Sequence, residues 1–142
     1  MTKQLFDWVR VLAWAGLLVA WTVALLRPVP AEAVHAVGGP EHSFWLGKTL
    51  HVGVYACLAV LTAWLPLSRR WRFILLAGLF LHGGATEFFQ QFVPGRTASL
   101  RDVGLDTLGS CAGVCLSWRR WFGSRADLRR ITPQQQLQTK RG

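Results

Sequence analysis

Six ionisable side chains sit inside stretches that are otherwise apolar: Lys48, His51, His82, Glu87, Asp102 and Asp106. Gln90, Gln91 and Tyr55 add uncharged polarity, and Arg96 and Arg101 fall between two of these stretches. The types are those that chemistry uses. Lys48 and Arg96 suit an anionic group such as a phosphate. His51, Glu87 and Asp106 are the candidates for moving a proton. Spacing groups them further. Lys48, His51 and Tyr55 follow i, i+3, i+7, which is one helix face. Gly83, Glu87 and Gln90 share a second face, and Asp102, Asp106, Gly109 and Gly113 a third. Gly109-x-x-x-Gly113 lets another helix approach closely. An ionisable group inside a membrane span costs about 2.5–3.5 kcal/mol on insertion scales, so each needs a partner or a task.

The elements that must position these residues follow from hydrophobic blocks. Four apolar stretches predict helices over roughly 8–26, 45–65, 73–93 and 102–118. The first three approach the ~20 residues that cross a hydrocarbon core of ~30 Å. Between Val11 and Leu26 the only polar residue is Thr22, so no polar face exists for water. The fourth stretch is shorter and carries Asp106, and flanking charge supports its crossing. Arg69, Arg70 and Arg72 precede the third stretch, and Arg119, Arg120, Arg125, Arg129 and Arg130 follow the fourth. Lys and Arg collect in cytoplasmic segments, so an even number of crossings separates the two clusters. Lys3 and Arg10 place the N-terminus on the same side. The expected fold is an all-α integral membrane protein, a bundle of four transmembrane helices with both termini cytoplasmic. Trp8, Trp45, Trp64, Trp71, Trp118 and Trp121 fall near the expected span ends, where indole rings favour the interface.

Residues 27–43, with Pro28, Pro30, Pro40, Gly38 and Gly39, read as an outside loop without helix or strand pattern. Residues 1–122 form the expected domain, and 123–142 a basic, disordered cytoplasmic tail. Ala31-Glu32-Ala33 resembles a signal-peptide cleavage site, but the first apolar run is long for a signal peptide and is expected to stay.

On this topology His51 and Glu87 each lie about 9 Å below the outer surface and Asp106 about 6 Å, at 1.5 Å per residue. Three helices thus bring ionisable groups to one outer-leaflet level, while His82 stands deeper and apart.

Residues 86–109 read TEFFQQFVPGRTASLRDVGLDTLG. Thr86-Glu87-x-x-Gln90, Pro94-Gly95-Arg96-Thr97-x-Ser99, Asp102 and Gly109 resemble the signature of the VanZ-like family, and Lys48-x-x-His51-x-x-x-Tyr55 resembles its first motif. The resemblance covers about residues 45–115. Gly47 stands where the family often has Asp, and Asp106 where it often has Asn. The resemblance implies a small bacterial membrane protein with a polar site, of a family whose named member is associated with resistance to teicoplanin, a lipid-tailed glycopeptide.

Bland readings stand beside the functional ones. Lys48 can snorkel to the interface, His51 can bond between helices, and Glu87 with Arg96 can form an internal ion pair that fixes a loop. Asp102 suits an N-cap or first turn, Tyr55 packing, and His82 a structural bond. Cys111 and Cys115, one turn apart, read as packing residues. His51, His82 and the cysteines share no depth, so neither a metal nor another cofactor is expected. The formal charge of +9 is an orientation signal and an attraction for anionic lipid, not a nucleic-acid footprint, because the expected cytoplasmic side holds +10 and the outer half −1. Three functions stay open. One is recognition of an amphiphilic or lipid-linked molecule, with Lys48, His51, Tyr55, Glu87, Gln90, Arg96, Asp102 and Asp106 as the site. The second is an enzyme on a lipid-linked phosphate or glycan, with His51, Glu87 and Asp106 as acid and base. The third is an assembly protein with an internal polar network. The expected location is the bacterial inner membrane, multi-pass, in contact with lipids, and a bundle this small allows a homodimer.

Overall fold

The computed structural model describes residues 2–96 and 98–123. Thr97 and the expected tail beyond Gly123 lie outside the described residues. Six helices follow one another: α1 (Thr2–Leu25), α2 (Ala31–Ala36), α3 (Pro40–Trp64), α4 (Arg69–Gln90), α5 (Leu100–Leu116) and α6 (Trp118–Phe122). No strand occurs among the described residues. α1, α3 and α4 are long and apolar enough to cross a membrane. α5 has 17 residues, or about 26 Å at 1.5 Å per residue.

Proline and glycine set the boundaries. α1 stops at Leu25, shortly before Pro28, since a residue preceding proline avoids the α conformation. α3 ends the same way, with Leu65 extended (ψ 145°) before Pro66. The segment expected as a plain loop, 27–43, instead contains α2, and α3 begins within it. Ala31, Ala33 and Ala36 are strong helix formers, and Pro30 enters them in an extended conformation. Gly38 (φ 94°) then closes α2, with Gly39 N–H donating to Val34 O at 2.9 Å and Gly38 N–H to His35 O at 3.1 Å. That pairing satisfies the last carbonyls of the helix. Pro40 stands in the first turn of α3, where its missing N–H costs nothing.

The centre of the fold is α3 against α5. A Cβ on Gly109 would strike the Val52 carbonyl, and one on Gly113 the Ala56 carbonyl and Ala59. The two glycines therefore let the helix backbones touch. Tyr55, Leu58, Ala59, Ala63, Leu76, Leu79 and Trp121 form the apolar core. α1 lies on this unit more loosely, and its only buried residue is Leu25. Trp14 and Trp21 face the bundle, while Leu5, Phe6, Leu12 and Val19 point outward. α4 likewise exposes Ile74, Leu81, Phe88 and Phe89. Outward apolar surface on this scale is the mark of a protein surrounded by lipid rather than water.

The Arg-rich end is tied off. Ser117 Oγ donates to Gly113 O at 2.6 Å and accepts from Trp121 Nε1 at 3.0 Å, which folds α6 back so that Trp121 is only 1% exposed. Arg72 Nη1 donates to Ala63 O (3.0 Å) and Arg120 O (3.1 Å), joining the ends of α3 and α6 to the start of α4.

Candidate functional site

At the opposite end, where α4 leads into α5, the polar faces of α3, α4 and α5 meet. His51 Nδ1 lies 2.7 Å from Asp106 Oδ1, and both residues are buried. Lys48 Nζ donates to Asp102 Oδ1. Glu87 Oε2 accepts the Ser99 backbone N–H at 2.8 Å, which anchors the start of α5 to α4. The other oxygen, Glu87 Oε1, has no partner among the described residues, nor do Gln90 Nε2 and Asp106 Oδ2. His51, Glu87 and Asp102 each place a ligand-type atom within 4.8 Å of the others.

Close packing makes the cluster possible. Gly83 leaves the space that Asp106 fills, since a Cβ at 83 would lie 2.9 Å from Asp106 Oδ2 and 3.2 Å from Asp106 Cβ. Gly109, one turn after Asp106, brings α5 onto Val52, the neighbour of His51. The structure thus brings together Lys48, His51, Glu87, Asp102 and Asp106.

Arg96 is placed elsewhere. Its Nη2 donates to Ala24 O at 2.9 Å and its Nε to Arg27 O at 3.3 Å. It therefore caps the end of α1, and no Arg96–Glu87 ion pair forms among the described residues. Ser99, rather than Asp102, is the N-cap of α5, and Asp102 sits in the first turn. Tyr55 reaches a second histidine. Its hydroxyl lies 2.8 Å from His82 Nδ1, and His82 Nε2 lies 2.8 Å from Thr22 Oγ1. Thr22 spends its own hydrogen on Leu18 O at 2.7 Å. It must then accept from His82 Nε2–H, and His82 Nδ1 accepts from Tyr55. His82 is neutral in that arrangement, with both ring nitrogens used. Thr22 was the only polar residue between Val11 and Leu26, and that was the signal that α1 supplies a partner.

Two cavities bear on function. The larger, about 680 Å³, opens at the Arg-rich end between Lys3, Asp7, Arg10, Arg72 and Arg120, far along α3 from the cluster. The smaller, about 260 Å³, lies between α1, α2 and α3 beside the cluster. Leu25, Val29, Val37, Leu46 and Leu50 make it apolar, while Trp21, Ser43, His51 and Arg96 bring polar side chains to its lining. The Trp21 ring meets His51 edge-on with centroids 5.3 Å apart, and its buried indole N–H has no partner among the described residues. Trp21 was not among the residues expected at the site. The smaller cavity is the one joined to the buried charges, so it is the more informative.

An all-helical chain with three helices fit to cross a membrane, and buried charge where helices meet, belongs to the small membrane proteins. The VanZ/LLP1 family model matches residues 4–122, and the chain belongs to that family. Neither a curated protein nor a solved structure matches it.

Proposed function

We propose that the protein is a multi-pass protein of the bacterial cytoplasmic membrane that recognises an amphiphilic or lipid-linked molecule at outer-leaflet depth. The observation that carries this reading is the smaller cavity. Its walls are mostly aliphatic, and the Arg96 guanidinium stands among the few polar groups that line it, with Ser43, His51 and Trp21. An apolar chain with an acceptor-rich, anionic head fits that division. At about 260 Å³, it falls below the roughly 300–1,000 Å³ of sites for drug-sized ligands, so it suits one headgroup or a short length of chain rather than a whole glycopeptide. Teicoplanin-type resistance would then arise through capture of a lipid-tailed molecule by its tail or anchor.

In this reading α5 crosses with α6, and the bundle has four crossings with cytoplasmic termini. The Arg clusters at 69–72 and 119–120 then share the cytoplasmic side, as the bias of Lys and Arg requires.

A photoreactive phospholipid provides the test. It should label the segment around Leu46–His51, and filling the cavity by Leu50→Trp should remove the label while the protein still elutes as a folded species. Unchanged labelling in that variant would refute the reading. In a teicoplanin-susceptible host, expression should raise the inhibitory concentration, and Arg96→Ala should abolish the rise at unchanged protein level.

An enzyme on a lipid-linked phosphate or glycan is favoured by one observation, the buried His51–Asp106 pair. A carboxylate on Nδ1 orients an imidazole as a general base through its other nitrogen. Lys48, one turn from His51, is already engaged with Asp102 and is not free to stabilise developing charge there. The binding reading therefore ranks first.

A further inference from the structure

The charged cluster carries a second consequence that stands on its own side chains and does not depend on what enters the cavity. We propose that His51, Glu87 and Asp102 hold a divalent transition-metal ion, with Asp106 as the carboxylate that orients His51.

Four observations converge. The first is position, since one ligand-type atom from each residue falls within 4.8 Å of the other two. Metal bonds of about 2.0–2.2 Å place ligand atoms on opposite sides of an ion about 4 Å apart, so small side-chain adjustments close the set. The second is the state of Glu87. The residue is 4% exposed, Oε2 is occupied by Ser99 N–H, and Oε1 is buried without a partner among the described residues. A buried carboxylate oxygen with nothing to accept from is costly, and a cation removes that cost.

The third is the tautomer of His51. Asp106 Oδ1 accepts from Nδ1–H, which leaves the lone pair on Nε2. A ligating histidine held by a carboxylate on its other nitrogen is the usual arrangement behind a metal. The fourth is charge. Three carboxyl groups, Glu87, Asp102 and Asp106, gather around a single lysine, Lys48. A divalent ion would offset the acid charge that the side chains leave unbalanced. Lys48 uses Asp102 Oδ1, so Oδ2 is the oxygen left for the metal.

One imidazole and two carboxylates suit Zn²⁺, Mn²⁺, Co²⁺ or Fe²⁺ rather than soft Cu(I). Three protein ligands leave positions for water or for an anionic oxygen, such as that of a phosphate.

The test is equilibrium dialysis of EDTA-stripped, detergent-purified full-length protein against Mn²⁺, Co²⁺ and Zn²⁺ separately. Mn²⁺ disfavours thiolates, so Cys57, Cys111 and Cys115, all exposed, do not confuse that arm. The expected result is a single equivalent of at least one ion, bound more than tenfold more weakly by Glu87→Gln and about 10–100-fold more weakly by Asp106→Asn. Cys111→Ser, at an exposed position outside the cluster, should bind as the parent does. Ion binding should also raise the Tm of the parent protein. Absence of stoichiometric binding by all three ions, or equal binding by a folded Glu87→Gln, overturns the site. If Glu87→Gln does not fold, His51→Gln is judged by the same criterion, and a parent Tm that ignores all three ions overturns the proposal without any variant.

Discussion

The relay through Thr22, His82 and Tyr55 and the cluster of Lys48, His51, Glu87, Asp102 and Asp106 draw on the same helices, yet one is complete and the other is not. In the relay, every hydrogen has an acceptor and the imidazole uses both nitrogens. It is neutral, and it ties α1 to α3 and α4. In the cluster, charge predominates and two carboxylate oxygens have no partner among the described residues. A chain that needed only to hold its helices together could do so with relays of the first kind. Incomplete pairing among buried charges marks the place where something else is expected to bind.

Substitutions can break that contrast, beginning with the platform both networks share. Gly113→Leu should cost more than about 3 kcal/mol or leave no folded protein, because the side chain meets the Ala56 carbonyl. Loss of monodisperse protein on gel filtration checks it. Asp106→Ala should cost about 3–5 kcal/mol, the penalty for stranding one member of a buried pair, measured by unfolding in mixed detergent. Tyr55→Phe should cost about 1–3 kcal/mol, since it leaves His82 Nδ1 without a donor. The smallest change in stability is expected from Glu87→Gln, less than that of Tyr55→Phe, because the amide oxygen can still accept Ser99 N–H. If that variant proves as unstable as Asp106→Ala, the contrast between the two networks fails.

The helices were legible because lipid imposes length and polarity on each span. Thr2–Leu25, Pro40–Trp64 and Arg69–Gln90 overlap the expected spans but begin before each of their starts and stop just short of each of their ends, since helix geometry at the N-terminal side continues through polar residues that hydropathy alone excludes. α2 was hidden because Pro28, Pro30, Gly38 and Gly39 read as loop punctuation, although Gly38 serves as a helix terminator. Counting residues from each expected surface put His51, Glu87 and Asp106 at one level. What spacing could not give was rotation. A helix face is known from i, i+3, i+7, but not which neighbour it meets. Hence Lys48–Asp102 and His51–Asp106 emerged only from the packing of α3 on α5, and Arg96 turned to α1 rather than to Glu87. His82 was set apart for want of a neighbour in sequence, whereas its partners lie 60 and 27 positions away.

The fit of Asp106 into the gap at Gly83 has a consequence for how such a chain can change over generations. A β-carbon at 83 would stand 2.9 Å from Asp106 Oδ2 and 3.2 Å from Asp106 Cβ. Change at the two sites is therefore coupled. A lineage that gains alanine at 83 must shift the Asp106 carboxylate or trade it for something smaller, and either step disturbs the group that aims His51. Restoring Asp106 beside an alanine at 83 would meet the same close contact. That lock is a testable epistatic signature: Gly83→Ala should be tolerated far better beside Asp106→Ser than beside the native acid.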